Sequence, residues 1–172
     1  RASDIKPCIN CLIGCIDRGM LSHTPIHCTV NPSLYRFECK PVEKAETRKQ
    51  VAVVGAGPAG CEAALTASKR GHQVTIYEKR CIGGAMIEAS KPENKANIKR
   101  LIHYYEDHIM HDPNITLVKE EVEYETLVHS GYDAVIIAVG GKTRILNVPG
   151  IEKNSVIYAS DYLNGSTAVT GN

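Results

Sequence analysis

Four cysteines, Cys8, Cys11, Cys15 and Cys28, stand in the pattern C-x2-C-x3-C-x12-C, three close together and one distant. Thiolates are soft donors, and four converging on one centre suit zinc or an iron–sulfur cluster. Two matched CxxC pairs would point to zinc; this lopsided pattern suits a cubane cluster, held mostly by one loop and completed by a returning strand. His23 and His27 lie between Cys15 and Cys28 and could substitute in a zinc site, although solvent-facing loop histidines are the simpler expectation. Disulfides are the plain alternative, but the odd total of 7 cysteines excludes complete pairing. Cys39, Cys61 and Cys81 have no repeat spacing and read as free thiols of a reducing compartment. Cys61 is expected as a small buried hydrophobe on a helix.

A second constellation is Gly55-Ala56-Gly57-Pro58-Ala59-Gly60, a G-x-G-x-x-G. Alone this is a weak signal. Here it follows the apolar run Val51 to Val54 and opens an Ala-rich stretch, with Glu78 standing 21 positions past Gly57, where an acidic residue is expected about 20 positions on. Gly55 permits the sharp turn, Gly57 lets the backbone approach a pyrophosphate, and Gly60 lets helix and strand close on each other. The helix start offers free N–H groups and partial positive charge to phosphates. Glu78 can accept hydrogen bonds from ribose hydroxyls and would repel a 2′-phosphate.

These residues need a scaffold, and the sequence supplies one from residue 50 onward. QVAVVG (50–55) reads as a strand buried on both faces of a parallel sheet. The Ala-rich stretch reads as a helix with Lys69 and Arg70 in its last turn and a break at Gly71. HQVTIYEK (72–79) is a second strand, completing a βαβ unit. Ile98, Leu101, Ile102, Tyr105 and Ile109 recur at helical spacing over 94–110. His103, Tyr104 and Tyr105 on that helix are packing and surface residues rather than a catalytic set. A strand pair or bent strand is predicted over 115–125, a buried strand over 133–141, and a short strand over 155–160. The organisation is a cysteine segment at 1–40, loop-rich and too poor in apolar residues to fold without a staple, a charged linker at 41–49, and a three-layer Rossmann-like α/β domain at 50–172.

The chain has 172 residues, 20 Lys plus Arg against 19 Asp plus Glu, and a formal net charge of +1. No basic field exists for nucleic acid or an anionic membrane. There is no apolar run of transmembrane length and no secretory leader, so a cytoplasmic location is expected. With no Trp and one Phe, the core should be aliphatic. Position 1 is Arg rather than Met, which suggests a piece of a longer protein.

PCINCLIGCIDR followed by HCTVNP, then VAVVGAGPAGCEAA, YEKRCIGGAMIEAS and DAVIIAVGGKTRILNVPGI resemble the central part of the flavin-dependent 2,4-dienoyl-CoA reductase, enoate reductase and trimethylamine dehydrogenase family. The resemblance covers essentially the whole chain. It implies a TIM barrel with FMN and the substrate site preceding this stretch, a four-iron four-sulfur cluster in the cysteine segment, and an FAD domain interrupted by an NAD(P)H domain. The barrel, the inserted NAD(P)H domain and the C-terminal return of the FAD domain lie outside this chain; the barrel and the NAD(P)H domain are its expected partners, with oligomerisation left open.

The resemblance places the cluster on Cys8, Cys11, Cys15 and Cys28. It places FAD on Ala59, Glu78, Lys95 and Val122, the last through its backbone to the adenine; the full cofactor-binding set also takes in Gly55, Gly57, Pro58, Gly60, Lys79, Gly84 and Gly140. Ala85 replaces a frequent Gln, and Val139 replaces the Thr of a late A-T-G motif. Hydride from NAD(P)H would reach FAD and pass through the cluster to FMN, which reduces an activated carbon–carbon double bond. No side chain here is expected to act as catalytic acid or base. The rivals are a zinc-stapled nucleotide-binding module without redox activity and the small-subunit type of glutamate synthase, which has two clusters and more cysteines.

Overall fold

The computed structural model describes residues 4–34 and 41–169. Four parallel strands, β1 (Gln50–Val54), β2 (Gln73–Tyr77), β3 (Ile115–Val118) and β4 (Ala134–Ile137), form one sheet in the order β3-β2-β1-β4. Val51 lies opposite Val74 on one side and Ala134 on the other, and Val74 lies opposite Ile115. β1 is thus central and parallel to both neighbours, as its apolar run predicts.

Helix α1 (Pro58–Lys69) crosses from β1 to β2. Pro58 starts it, where a missing N–H costs nothing. It ends in a Schellman motif: Gly71, at φ +93°, donates to Ser68 O at 2.7 Å and His72 to Ala67 O at 3.1 Å. α2 (Met86–Ala89) is a single turn, and α3 (Ala96–Met110) follows a short 3-10 turn. Leu101, Ile102, Tyr105 and Ile109 are buried along α3, the face the spacing predicts. With Val53, Val74, Ile76, Ala64 and Leu65 they make the core. Each large aliphatic so buried contributes about 1.5–3 kcal/mol, so stability is concentrated in the half containing β1, β2, α1 and α3.

Four expectations are corrected. β4 is apolar but not buried: it pairs only with β1 at the sheet edge, and Ile137 is 64% exposed. Residues 115–125 give one short strand instead of a pair; the charges of Lys119, Glu120, Glu121 and Glu123 favour solvent over a ladder, and α4 (Tyr124–His129) follows. No strand forms over 155–160, where Val156 closes a turn onto Lys153 O at 2.9 Å and the chain enters α5 (Ala159–Asn164). The cysteine segment is not simply loop, since Ile13–Leu21 forms a π-helix. Its widened turns show in Asp17 N–H to Leu12 O at 3.0 Å and Ser22 N–H to Asp17 O at 2.8 Å.

No helix among the described residues is long and apolar enough to cross a membrane. The 41–49 stretch is laced to the domain by Ala45 N–H to Arg70 O at 2.9 Å and Lys49 N–H to His72 Nδ1 at 3.1 Å.

Candidate functional site

The chain runs from β1 through α1 to β2 and returns to β4 on the other side, so the sheet has its topological switch point between β1 and β4. A crevice at the carboxyl ends of the strands there is where open α/β sheets bind ligands. Gly55 turns out of β1 at φ +100°, and a Cβ on it would lie 2.4 Å from Ala138 O. A Cβ on Gly60 would lie 1.9 Å from Gly55 O, so α1 touches the turn that precedes it. Gly57 is different: the nearest atom to its absent Cβ is Gly84 Cα at 3.9 Å. The face of Gly57 is therefore open, as close approach of a ligand requires.

Glu78 closes this turn from the end of β2. It is only 9% exposed, and its Oε2 accepts the Ala56 N–H at 2.8 Å while Oε1 accepts the Arg80 N–H at 2.8 Å. Two backbone donors thus orient the carboxylate and leave further lone pairs for other donors. Lys79 donates to Glu121 at 2.8 Å, tying the end of β2 to the stretch carrying Val122; this hydrogen bond to the carboxylate holds the Lys79 ammonium above the usual lysine range. Arg80 pairs with Glu88 at 2.5 Å. Burial, the largest single influence, pushes the Glu88 carboxyl up, but the Arg80 hydrogen bond, a backbone hydrogen bond and the charges of Arg80 and Lys91 together outweigh it and the net shift is downward.

The structure brings Gly55, Gly57, Pro58, Ala59, Gly60, Glu78 and Gly84 together. Gly140, at φ +75°, follows β4 one residue past Val139, which borders Gly55. Lys95 stands exposed at the start of α3, outside the hydrogen-bond network of the turn among the described residues, and Val122 is half-buried beyond β3. Sequence reasoning missed Ala56 and Arg80 as holders of Glu78, and Gly83, whose N–H donates to Ala56 O at 2.8 Å. The Gly-Gly pair after the second strand and the residues next to Glu78 were the available signals.

Cys8, Cys11, Cys15, Cys28, Cys61 and Cys81 are free thiols; Cys39 lies outside the described residues. Among the described residues no three His, Cys, Asp or Glu side chains are gathered closely enough to hold a metal ion. The two arms bearing the candidate ligands nevertheless meet. His27 N–H donates to Gly14 O at 2.8 Å, and a Cβ on Gly14 would lie 2.5 Å from His27 O. Cys11 Sγ lies 3.2 Å from Thr29 Oγ1, and Asn10 N–H points to Cys8 Sγ at 3.3 Å. The Thr29 hydrogen bond lowers the Cys11 thiol pKa against the opposing effect of burial, with help from the backbone at Ile13 and Gly14. Asn10 and Leu12, on either side of Cys11, adopt φ of +55° and +59°, a conformation that costs roughly 1–2 kcal/mol per residue and that clusters at functional sites.

Cys61 is buried as expected, donating to Ala56 O at 3.3 Å; burial, then Glu62 and Glu78, push its thiol up to about 12, so it stays protonated. Tyr104 stacks on His108 with ring centroids 4.0 Å apart and His103 pairs with Glu106 at 2.9 Å, which is packing and surface chemistry as read.

The family model described as pyridine nucleotide-disulphide oxidoreductase matches residues 49–168. The chain is 36% identical to the NADH oxidase of Thermoanaerobacter brockii over 98% of its own length and 26% of that protein's. It is 34% identical to the cinnamate reductase of Clostridium sporogenes over 92% and 24%. A solved structure of 2-naphthoyl-CoA reductase with 2-naphthoyl-CoA superposes with a TM-score of 0.90 at 32% identity, covering 99% of this chain and 26% of that one. These relatives are oxidoreductases, in line with the resemblance carried by the motifs. The chain spans about a quarter of the length of the curated relatives it matches.

Proposed function

We propose, from the premise that this chain belongs to the pyridine nucleotide-disulphide oxidoreductase family, that it is the electron-transfer portion of a flavin-dependent NAD(P)H oxidoreductase, binding FAD in the glycine turn and a four-iron four-sulfur cluster on Cys8, Cys11, Cys15 and Cys28. When bound, FAD supplies a two-electron store and the cluster a one-electron carrier. The observation that carries the flavin half is the Glu78 carboxylate, nearly buried and oriented by the Ala56 N–H at the mouth of the turn.

In this reading the open face of Gly57 and the free N–H groups at the start of α1 receive the pyrophosphate. Glu78 accepts the ribose hydroxyls and turns away a 2′-phosphate. The backbone at Val122 meets the adenine, with Lys79 and Glu121 steadying that edge, and Lys95 and Gly140 complete the rim. No side chain here is assigned a proton to hold or move.

The cluster half rests on donor chemistry. Four free thiols lie on two crossing arms, a hydroxyl and backbone groups favour the Cys11 thiolate, and a backbone N–H is aimed at Cys8 Sγ. Hydrogen bonds to sulfur are among the levers by which proteins set cluster potentials. The cytoplasm is the compartment that keeps such thiols unpaired. The three quarters of the relatives' length that this chain does not span leave room for an N-terminal FMN barrel and an NAD(P)H domain, with an activated carbon–carbon double bond as the final acceptor.

Anaerobic titration followed by flavin fluorescence tests the flavin half. FAD should bind one per chain, FMN more weakly for want of the adenosine, and NADP should not displace FAD. FMN binding as tightly as FAD would contradict the assignment.

A further inference from the structure

The Oε1 atom of Glu62 joins three parts of the chain. It accepts from Lys6 Nζ and, at 2.8 Å, from Tyr105 Oη. Lys6 lies two residues before Cys8, Glu62 lies on α1 in the turn after Gly60, and Tyr105 lies in the middle of α3. The Lys6 side chain is 14% exposed, and its ammonium sits 5.6 Å from the ring centroids of both Tyr104 and Tyr105. We infer that Glu62 is a positioning residue whose grip on Lys6 sets the cysteine segment in one place over the dinucleotide fold.

Among the described residues, Ile9 and Val30 of that segment pack against the core, and Lys6 binds Glu62. Apolar burial is non-directional and tolerates sliding, whereas two donors on one carboxylate oxygen define a position. Withdrawing a lysine this far from water is unfavourable without a partner, and the two tyrosine faces add cation–π attraction. Tyr105 remains a donor because burial, and then the Glu62 carboxylate, hold its hydroxyl protonated. Downstream of the clasp the path is narrow: Asn10 and Leu12 take left-handed conformations and Gly14 abuts His27. Fixing Lys6 therefore fixes Cys8 and its neighbours relative to α1, whose first turn faces the dinucleotide crevice. The functional consequence, a set spacing between cluster and flavin, rests on the proposed cofactors; the clasp itself does not.

Backbone hydrogen exchange of the whole chain, with and without anaerobic iron and sulfide loading, tests this. Lys6→Met and Glu62→Gln should each speed exchange across residues 8–30 by about tenfold or more while β1 and β2 keep native rates, as local opening rather than global unfolding requires. The double variant should be no faster than either single one, and Lys6→Arg should restore native exchange. Native rates over 8–30 in Lys6→Met, or equal acceleration in β1 and β2, would overturn the inference. Should Glu62→Gln fail to fold, Lys6→Met decides alone, since Lys6 lies outside the core. Iron content read on the same samples judges the cluster separately: native protein without iron contradicts the cofactor assignment, and the metal-free exchange data still decide the clasp.

Discussion

The backbone N–H of Ala56 donates to the Glu78 carboxylate at 2.8 Å, joining the turn after β1 to the end of β2. The second residue of the glycine motif thus holds the acidic residue that lies two strands along the βαβ unit.

Glu78→Ala removes that acceptor. Hydrogen bonds to a charged acceptor are worth about 1.5–3 kcal/mol, so FAD affinity should fall by roughly tenfold or more. Glu78→Gln keeps one acceptor oxygen for Ala56 and should lose less. FAD titration checks both, and native affinity in Glu78→Ala would move the site elsewhere.

Gly57 and Gly60 separate binding from folding. In Gly60→Ala the new Cβ meets Gly55 O at 1.9 Å, backbone that cannot swing aside, so α1 must shift from β1; overpacking of this kind costs about 1–3 kcal/mol or more. Gly57→Ala meets nothing closer than 3.9 Å in a backbone conformation open to alanine, with φ −71° and ψ −179°. It should melt close to the native temperature and bind FAD poorly. Thermal unfolding beside titration reads the contrast.

Gly14→Ala should act on the metal alone. Its Cβ would press on His27 O at 2.5 Å and part the arms that carry Cys15 and Cys28. Iron uptake should drop sharply with FAD affinity unchanged. Cys81→Ser, at an exposed thiol outside the motif, should leave uptake intact.

Tyr77 gives a pH signature. Its hydroxyl lies 2.9 Å from that of Tyr132, and this hydrogen bond, then burial, raise its pKa from 10.0 to about 12. The folded state keeps the proton longer than the unfolded state. The associated stability is fully present below the unfolded pKa of 10.0 and is lost as pH climbs toward 12. Urea unfolding at about pH 9 and about pH 11 should show the decline, and Tyr132→Phe should flatten it.

Much of this site was legible because local rules and global fold agree at β1, α1 and β2. An apolar run, a glycine turn with Pro58 at the helix start, and a break at Gly71 each point to the same βαβ unit. The α3 face was equally plain, since its apolar residues recur at one period. Legibility failed where composition and context part. Val135 and Ile137 have the composition of a buried strand, but β4 is the sheet edge and among the described residues its faces stay open. Val156 and Ile157 have strand propensity without a partner strand. The clasp of Lys6, Glu62 and Tyr105 was invisible, because no spacing rule links residues on three separate elements.

Anaerobic reconstitution with iron, sulfide and FAD, followed by iron analysis and a visible spectrum, asks whether one chain holds both proposed cofactors. Roughly four irons per chain, one FAD, and absorbance from both are expected, with iron uptake abolished in Cys11→Ser. A colourless protein holding a single zinc, or iron uptake undiminished in Cys11→Ser, would contradict that proposal.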